Sequence, residues 1–139
     1  MSHSAKALVL HCIDFRFVHD IVHFMKSVGL LGQYDDVAAA GAAKNLADPY
    51  DDHDRGFVLR QIAIARKLHG ISQVYVINHL DCGAYGHGTF ANVKEENERH
   101  LRDLRAAKNI IEKRFDGLVV IPVLARIDEQ GKVDFERML

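Results

Sequence analysis

Two hydrophobic rhythms alternate along this chain. Residues 5–11 (AKALVLH) are a short, nearly continuous apolar run, which predicts a buried strand. Val18, Ile21, Val22, Met25 and Val28 then recur close to helical spacing, and Gly29 and Gly32 stand where such a helix should stop. DDVAAAGA (35–42) predicts a second short strand running into a glycine turn, followed by a polar loop with Pro49. A helix is expected over 56–70, ending at Gly70, and a strand rich in β-branched residues over 72–78 (SQVYVIN). A glycine-rich turn (79–88) leads into a long charged helix over 92–115, with Val93, Leu101, Leu104, Ala107 and Ile111 as its apolar side. LVVIPVLA (118–125) is another buried strand, and RIDEQGKVDF reads as a hairpin turning at Gln130-Gly131. The order is β-α-β-α-β-α-β plus a hairpin. It predicts an α/β fold with a mostly parallel sheet flanked by helices, and the order taken for it is 2-1-3-4 plus the C-terminal hairpin strand.

A length of 139 residues, 48% of them apolar, suits one domain spanning 1–139. A net charge of -1 offers no footprint for nucleic acid. No apolar run reaches the ~20 residues needed to cross a bilayer, so no membrane partner is expected. The opening MSHSAKALVL lacks the layout of a secretory signal, which gives the expectation of a cytoplasmic protein. No Gly-x-Gly-x-x-Gly follows the first strand, which argues against a dinucleotide site.

The chemistry gathers at two predicted strand ends. Cys12 ends the first strand, and His79 and Cys82 follow the third in NHLDCG. In open parallel sheets, ligands bind beyond the carboxyl ends of strands where the strand order reverses. If the order is 2-1-3-4, strands one and three are neighbours at that point, and the three side chains would converge. Two thiolates and an imidazole form a good Zn²⁺ set, and three protein ligands leave a fourth position open, as catalytic zinc requires. Asp14 and Arg16 alternate with Cys12 and so project to the same side. Arg16 can hold the Asp14 carboxylate with two hydrogen bonds and keep it ionised, and Asp14 can orient a water beside the metal. The alternatives are a core thiol pair with an unrelated histidine, and a structural zinc site closed by Asp14 as fourth ligand.

These residues resemble the zinc signature of the β-class carbonic anhydrases, Cys-x-Asp-x-Arg after the first strand and His-x-x-Cys after a later one. Gly83-Ala84, VAAAGA and the closing VLARIDEQGKVDF are also similar to that family. The resemblance implies zinc on Cys12, His79 and Cys82, and Asp14 and Arg16 as the catalytic pair. It implies reversible hydration of CO₂ to bicarbonate by hydroxide generated at the zinc, and a homodimer or higher homo-oligomer. Several positions depart from the family pattern. The chain begins only a few residues before its first strand, where the family usually has a helical arm that wraps the partner subunit. No glutamine precedes Cys12, Ile13 and Phe15 replace the serines that commonly flank the aspartate, and alanines replace an arginine and an asparagine before Gly41. Related enzymes with the same site hydrolyse carbonyl sulfide or carbon disulfide. That chemistry, or a non-catalytic zinc-binding module, is the alternative reading.

Other residues carry weaker signals. His19 and His23 have i, i+4 spacing and read as a partly exposed helix face rather than a ligand pair. His87 is near enough to the expected site to pass protons, but a loop histidine is the simpler reading. The Asp51–Asp54 run solvates a loop and caps a helix, and Tyr85 and Phe90 line either the core or a pocket.

Overall fold

A computed structural model describes residues 3–139. Five strands, β1 (Ala7–His11), β2 (Tyr34–Ala38), β3 (Gln73–His79), β4 (Val119–Ile127) and β5 (Val133–Arg137), form one sheet in the order β2-β1-β3-β4-β5. The first four are parallel and β5 returns antiparallel to β4, as the sequence pattern predicts. The helices are α1 (Val18–Ser27), α2 (Lys44–Ala47), α3 (Asp52–His69) and α4 (Val93–Arg114), with one 3-10 turn at Gly83–Tyr85.

Strand alternation divides the core in two. Leu8, Leu10, Val74, Val76 and Val120 face Val58 and Ile62 of α3 and Leu104, Ala107 and Ile111 of α4. Ala7, Val9, Tyr75, Ile77, Ile121 and Val123 face Phe17 and, from α1, Ile21 and Met25. Both faces of the central strands are therefore covered, which is why β1, β3 and β4 are mostly apolar. The chain leaves β1 towards β2 on one side and returns to β3 on the other, so the strand order reverses between β1 and β3.

Four expectations shift. Helix α3 begins at Asp52 rather than 56, because the Asp51 side chain accepts the His53 N–H and caps it. The short α2 was hidden in what reads as a loop. The buried face of α4 is rotated: Val93 is exposed and Leu101 half-buried, whereas His100 and Asp103 are buried beside Leu104, Ala107 and Ile111. On α1, Val18 and Val22 are exposed, and only Ile21 and Met25 are fully packed. The hairpin turns as expected: Asp128 accepts the N–H groups of Gln130 and Lys132, and Gly131 sits at φ +81.

Candidate metal centre

His11 of β1 pairs with Ile77 of β3, so the chain leaves both strands at nearly one level. Cys12 is the first residue past β1, and His79 is the last of β3. The turn after β3 is tight enough to bring Cys82 back, with Asp81 in a left-handed conformation at φ +57. The ligand atoms of Cys12, His79 and Cys82 all lie within 4.8 Å of one another, and all three residues are buried. No other group of three or more such residues among those described could hold a metal ion.

The donor set fits zinc in three ways. The two sulfurs are 3.8 Å apart. Sulfurs bound ~2.3 Å from one tetrahedral zinc stand about that far apart. His79 Nδ1 donates to the Leu80 carbonyl at 2.7 Å, which leaves Nε2 with its lone pair. That buried Nε2 has no hydrogen-bond partner, whereas buried polar atoms nearly always have one. The third fit is electrostatic. Cys82 donates to Cys12, and with His79 and the Gly41 and Asp14 N–H groups this outweighs burial and pushes the Cys12 thiol well down. As donor to that sulfur, and by burial, Cys82 is pushed up. The first proton leaves this pair easily, and the second is held by the thiolate beside it. A divalent cation removes that conflict by accepting both thiolates.

Loops on both sides secure the sulfurs. The Gly41 N–H points at Cys12 Sγ from 3.4 Å. Gly41 has φ +82, and a Cβ there would lie 3.1 Å from the Cβ atoms of both Ala84 and Lys44, so the close approach needs glycine. Phe17 stacks on the His79 ring with centroids 4.3 Å apart and limits its rotation.

Asp14 stands beside this cluster, its Oδ2 3.7 Å from His79 Nε2. Arg16 donates to it three times: Nε to Oδ1 at 3.0 Å, a terminal nitrogen to Oδ2 at 2.8 Å, and the backbone N–H to Oδ1 at 3.0 Å. Those bonds, against a smaller opposing effect of burial, hold the Asp14 carboxyl down at about 2. Arg16 is itself held from behind by the Asp81 carboxylate at 3.2 Å and the Asp81 carbonyl at 3.0 Å. The Asp81 N–H in turn donates to Glu96 of α4 at 2.7 Å. The guanidinium thus sits between two carboxylates, and its pKa is raised, chiefly by Asp14.

A cleft of about 350 Å³ opens on this group, lined by Cys12, Ile13, Asp14, Phe15, Ala40, Gly83 and Ala84. Its wall is apolar, and Ile13 and Phe15 stand exposed at its mouth. A second cleft, of about 280 Å³, reaches Cys82 from the other side and is lined by His87 among others.

The structure therefore brings together all five residues that the sequence singles out. It leaves His19 and His23 outside: they hydrogen-bond to each other at 2.9 Å on the exposed side of α1. Asp51 caps α3, and Tyr85 packs against the two cysteines. The sequence reading missed Asn78, His100 and Asp103, a buried polar group directly behind the turn, and Asp81 behind Arg16. An asparagine just before His79, inside an otherwise apolar strand, was the one available signal.

A mostly parallel sheet with a Cys-His-Cys group at the reversal between β1 and β3 defines a carbonic-anhydrase-like fold of the β class. Residues 2–135 match the family described as "Putative carbonic anhydrase", and the chain belongs to that family. An uncharacterized protein of Rickettsia bellii is 30% identical over 137 residues, covering 96% of this chain and 84% of the relative. The carbonic anhydrase of Streptococcus mutans superposes with a TM-score of 0.60 at 21% identity, covering 97% of this chain and 84% of that one. A carbon disulfide hydrolase superposes with a TM-score of 0.52 at 14% identity, covering 96% and 79%. No helix among the described residues is long and apolar enough to cross a membrane.

Proposed function

We propose that this chain is a zinc enzyme that hydrates CO₂ reversibly to bicarbonate. Cys12, His79 and Cys82 would hold the zinc, Asp14 and Arg16 would form the catalytic pair, and residues 1–139 would act as one domain. The carrying observation is the orphaned His79 Nε2 between two thiols, with an ionised, Arg-clamped Asp14 beside it. Zinc, when bound, supplies the Lewis acidity that brings the pKa of water from its bulk value to about 7, making hydroxide available near neutrality.

The chain's own residues do the rest. Asp14 stays a carboxylate through the neutral range because Arg16 holds it; Oδ1 is taken up by two Arg16 donors, and Oδ2 keeps one lone pair besides the one Arg16 uses. It can therefore accept the proton of the attacking hydroxide in a hydrogen bond and fix the direction of its lone pair. Arg16, braced by Asp81, keeps that acceptor in place. The apolar walls formed by Ile13, Phe15, Ala40 and Ala84 admit an uncharged linear molecule without asking it to desolvate a charge. Hydration of CO₂ by water yields bicarbonate and one proton, which leaves to solvent through the open clefts.

The test is stopped-flow CO₂ hydration across pH 6 to 9, with zinc analysis, on the wild type and on Cys82→Ala and Asp14→Ala. About one zinc per chain and a rate rising with pH support the reading. Unchanged rates in both variants would sink it. A second reading rests on the apolar mouth, which supplies no polar side chain beyond Asp14 and Cys12. Carbonyl sulfide or carbon disulfide would fit the same walls, and the carbon disulfide hydrolase shares the fold. Release of hydrogen sulfide, with CO₂ hydration absent, selects that reading.

A further inference from the structure

Behind the centre lies a polar network that the proposed chemistry does not use. Asn78 is buried, and it immediately precedes His79. Its Oδ1 accepts the Ala43 N–H at 2.9 Å. A backbone N–H can only donate, so this contact fixes which way the amide points, and the Nδ2 group must donate on its other side. Nδ2 does so twice, to the Tyr85 hydroxyl at 3.1 Å and to His100 Nδ1 at 3.0 Å. The Tyr85 hydroxyl donates onward to Asp103 Oδ2 at 2.7 Å, and that oxygen also accepts from Arg99 Nε at 3.1 Å. His100 and Asp103 are buried as well.

The network joins the two loops that surround the sulfurs. Through Ala43, Asn78 fixes the turn whose Gly41 N–H points at Cys12. Through Tyr85, it fixes the 3-10 turn that Cys82 opens, whose Tyr85 N–H donates back to the Cys82 carbonyl at 3.1 Å. Its own backbone continues into His79. One side chain therefore stands between all three proposed ligands, and only an amide can supply an acceptor on one side and two donors on the other. Apolar residues would fill this space at a lower desolvation cost, because each buried polar atom left unpaired costs about 1–3 kcal/mol.

From this we infer that Asn78, acting with Tyr85 and Asp103, is a positioning residue that presets the Cys12–His79–Cys82 geometry for the metal. The inference rests on the zinc reading above. It predicts that the network sets metal affinity, not merely the stability of the fold.

The experiment measures zinc affinity by competition with a chromophoric chelator on the full chain, for the wild type and for Asn78→Ala, Tyr85→Phe and Asp103→Asn. Thermal unfolding of the same proteins is followed with the metal removed. The visible charge-transfer spectrum after cobalt(II) loading reads the thiolate geometry. Asn78→Ala and Tyr85→Phe should each weaken zinc roughly 10–100-fold, as loss of outer partners to metal ligands does. Tyr85→Phe keeps the ring packing and loses only the hydroxyl, so it should fold and still show an altered cobalt spectrum. Asp103→Asn, which keeps an acceptor for the tyrosine, should recover most of the affinity. Variants that melt earlier but bind zinc as tightly as the wild type, with an unchanged cobalt spectrum, would overturn the inference and leave the zinc reading standing. A wild type that takes up neither metal would remove both.

Discussion

His100 offers a test of the network that needs no metal and no substrate. Its ring is fully buried on α4, with Asn78 and Tyr85 against it and Glu96, Arg99 and Asp103 on its own helix. Burial, with smaller contributions from His79 and Arg99 and against the opposing effect of Asp103, pulls its pKa from 6.5 down to about 4. The geometry agrees: Nδ1 accepts from Asn78, so the ring is neutral with its proton on Nε2. Below pH 6.5 the unfolded chain takes up a proton here that the folded chain refuses. Stability from this group is therefore fully present above pH 6.5 and is lost as pH falls towards 4. At ~1.4 kcal/mol per pH unit the whole effect is about 3 kcal/mol, of which about 2.5 is gone by pH 4.5. With urea slopes of ~1–3 kcal/mol/M, that moves an unfolding midpoint by about 1–2 M. The measurement is urea unfolding by circular dichroism at pH 7.5 and 4.5, with chelator present, for wild type and His100→Leu. Other groups titrate in this range too, so the difference between the two proteins is what counts. The variant should lose about 2.5 kcal/mol less than wild type over that span. Parallel losses in the two proteins would mean that the folded chain tolerates a charged His100, and the reading of a closed, neutral network would be wrong.

Three further perturbations separate the parts of the centre. Arg16→Lys removes a paired contact of 2.8 and 3.0 Å that a lysine cannot reproduce, so hydration should fall about tenfold to a hundredfold by stopped flow while zinc content holds. Gly41→Ala forces an L-residue to φ +82 against Ala84 and Lys44, and calorimetry should show a loss of at least ~1–2 kcal/mol, with weaker zinc retention as the Cys12 donor shifts. Phe15 is 87% exposed beside Ile13 at the cleft mouth, a surface suited to a second copy of the chain. Sedimentation should find a wild-type dimer that dissociates more readily in Phe15→Ser, and a wild-type monomer would count against the homo-oligomer expected from the family.

The alternation of strands and helices and the parallel sheet were legible because they follow from apolar periodicity, which needs no side-chain detail; periodicity and crossover handedness alone do not fix the order of the strands. The five residues of the centre were legible for a related reason. Cys12, Asp14 and Arg16 alternate past one strand, and His79 and Cys82 bracket one turn, so local spacing and one topological rule place them together. The face of α4 was misread because periodicity counts apolar residues, and it assigned Val93 and Leu101 to the core ahead of His100 and Asp103. Those two are buried with Asn78 donating to His100 Nδ1 and Tyr85 donating to Asp103, while His100 Nε2 keeps no hydrogen-bond partner. Such pairing links positions 78, 85, 100 and 103 through space alone, and no spacing rule joins a strand end to the middle of a later helix. The residues that supply chemistry are thus local in sequence, and those that hold them are dispersed. The same division explains how the chain can depart from the family pattern at Ile13 and Phe15 and still assemble the centre. Those side chains line the approach, whereas the cysteines and histidine are fixed from behind, by Gly41, Asn78 and Tyr85. Changes in front alter what reaches the site, while changes behind alter whether there is a site to reach.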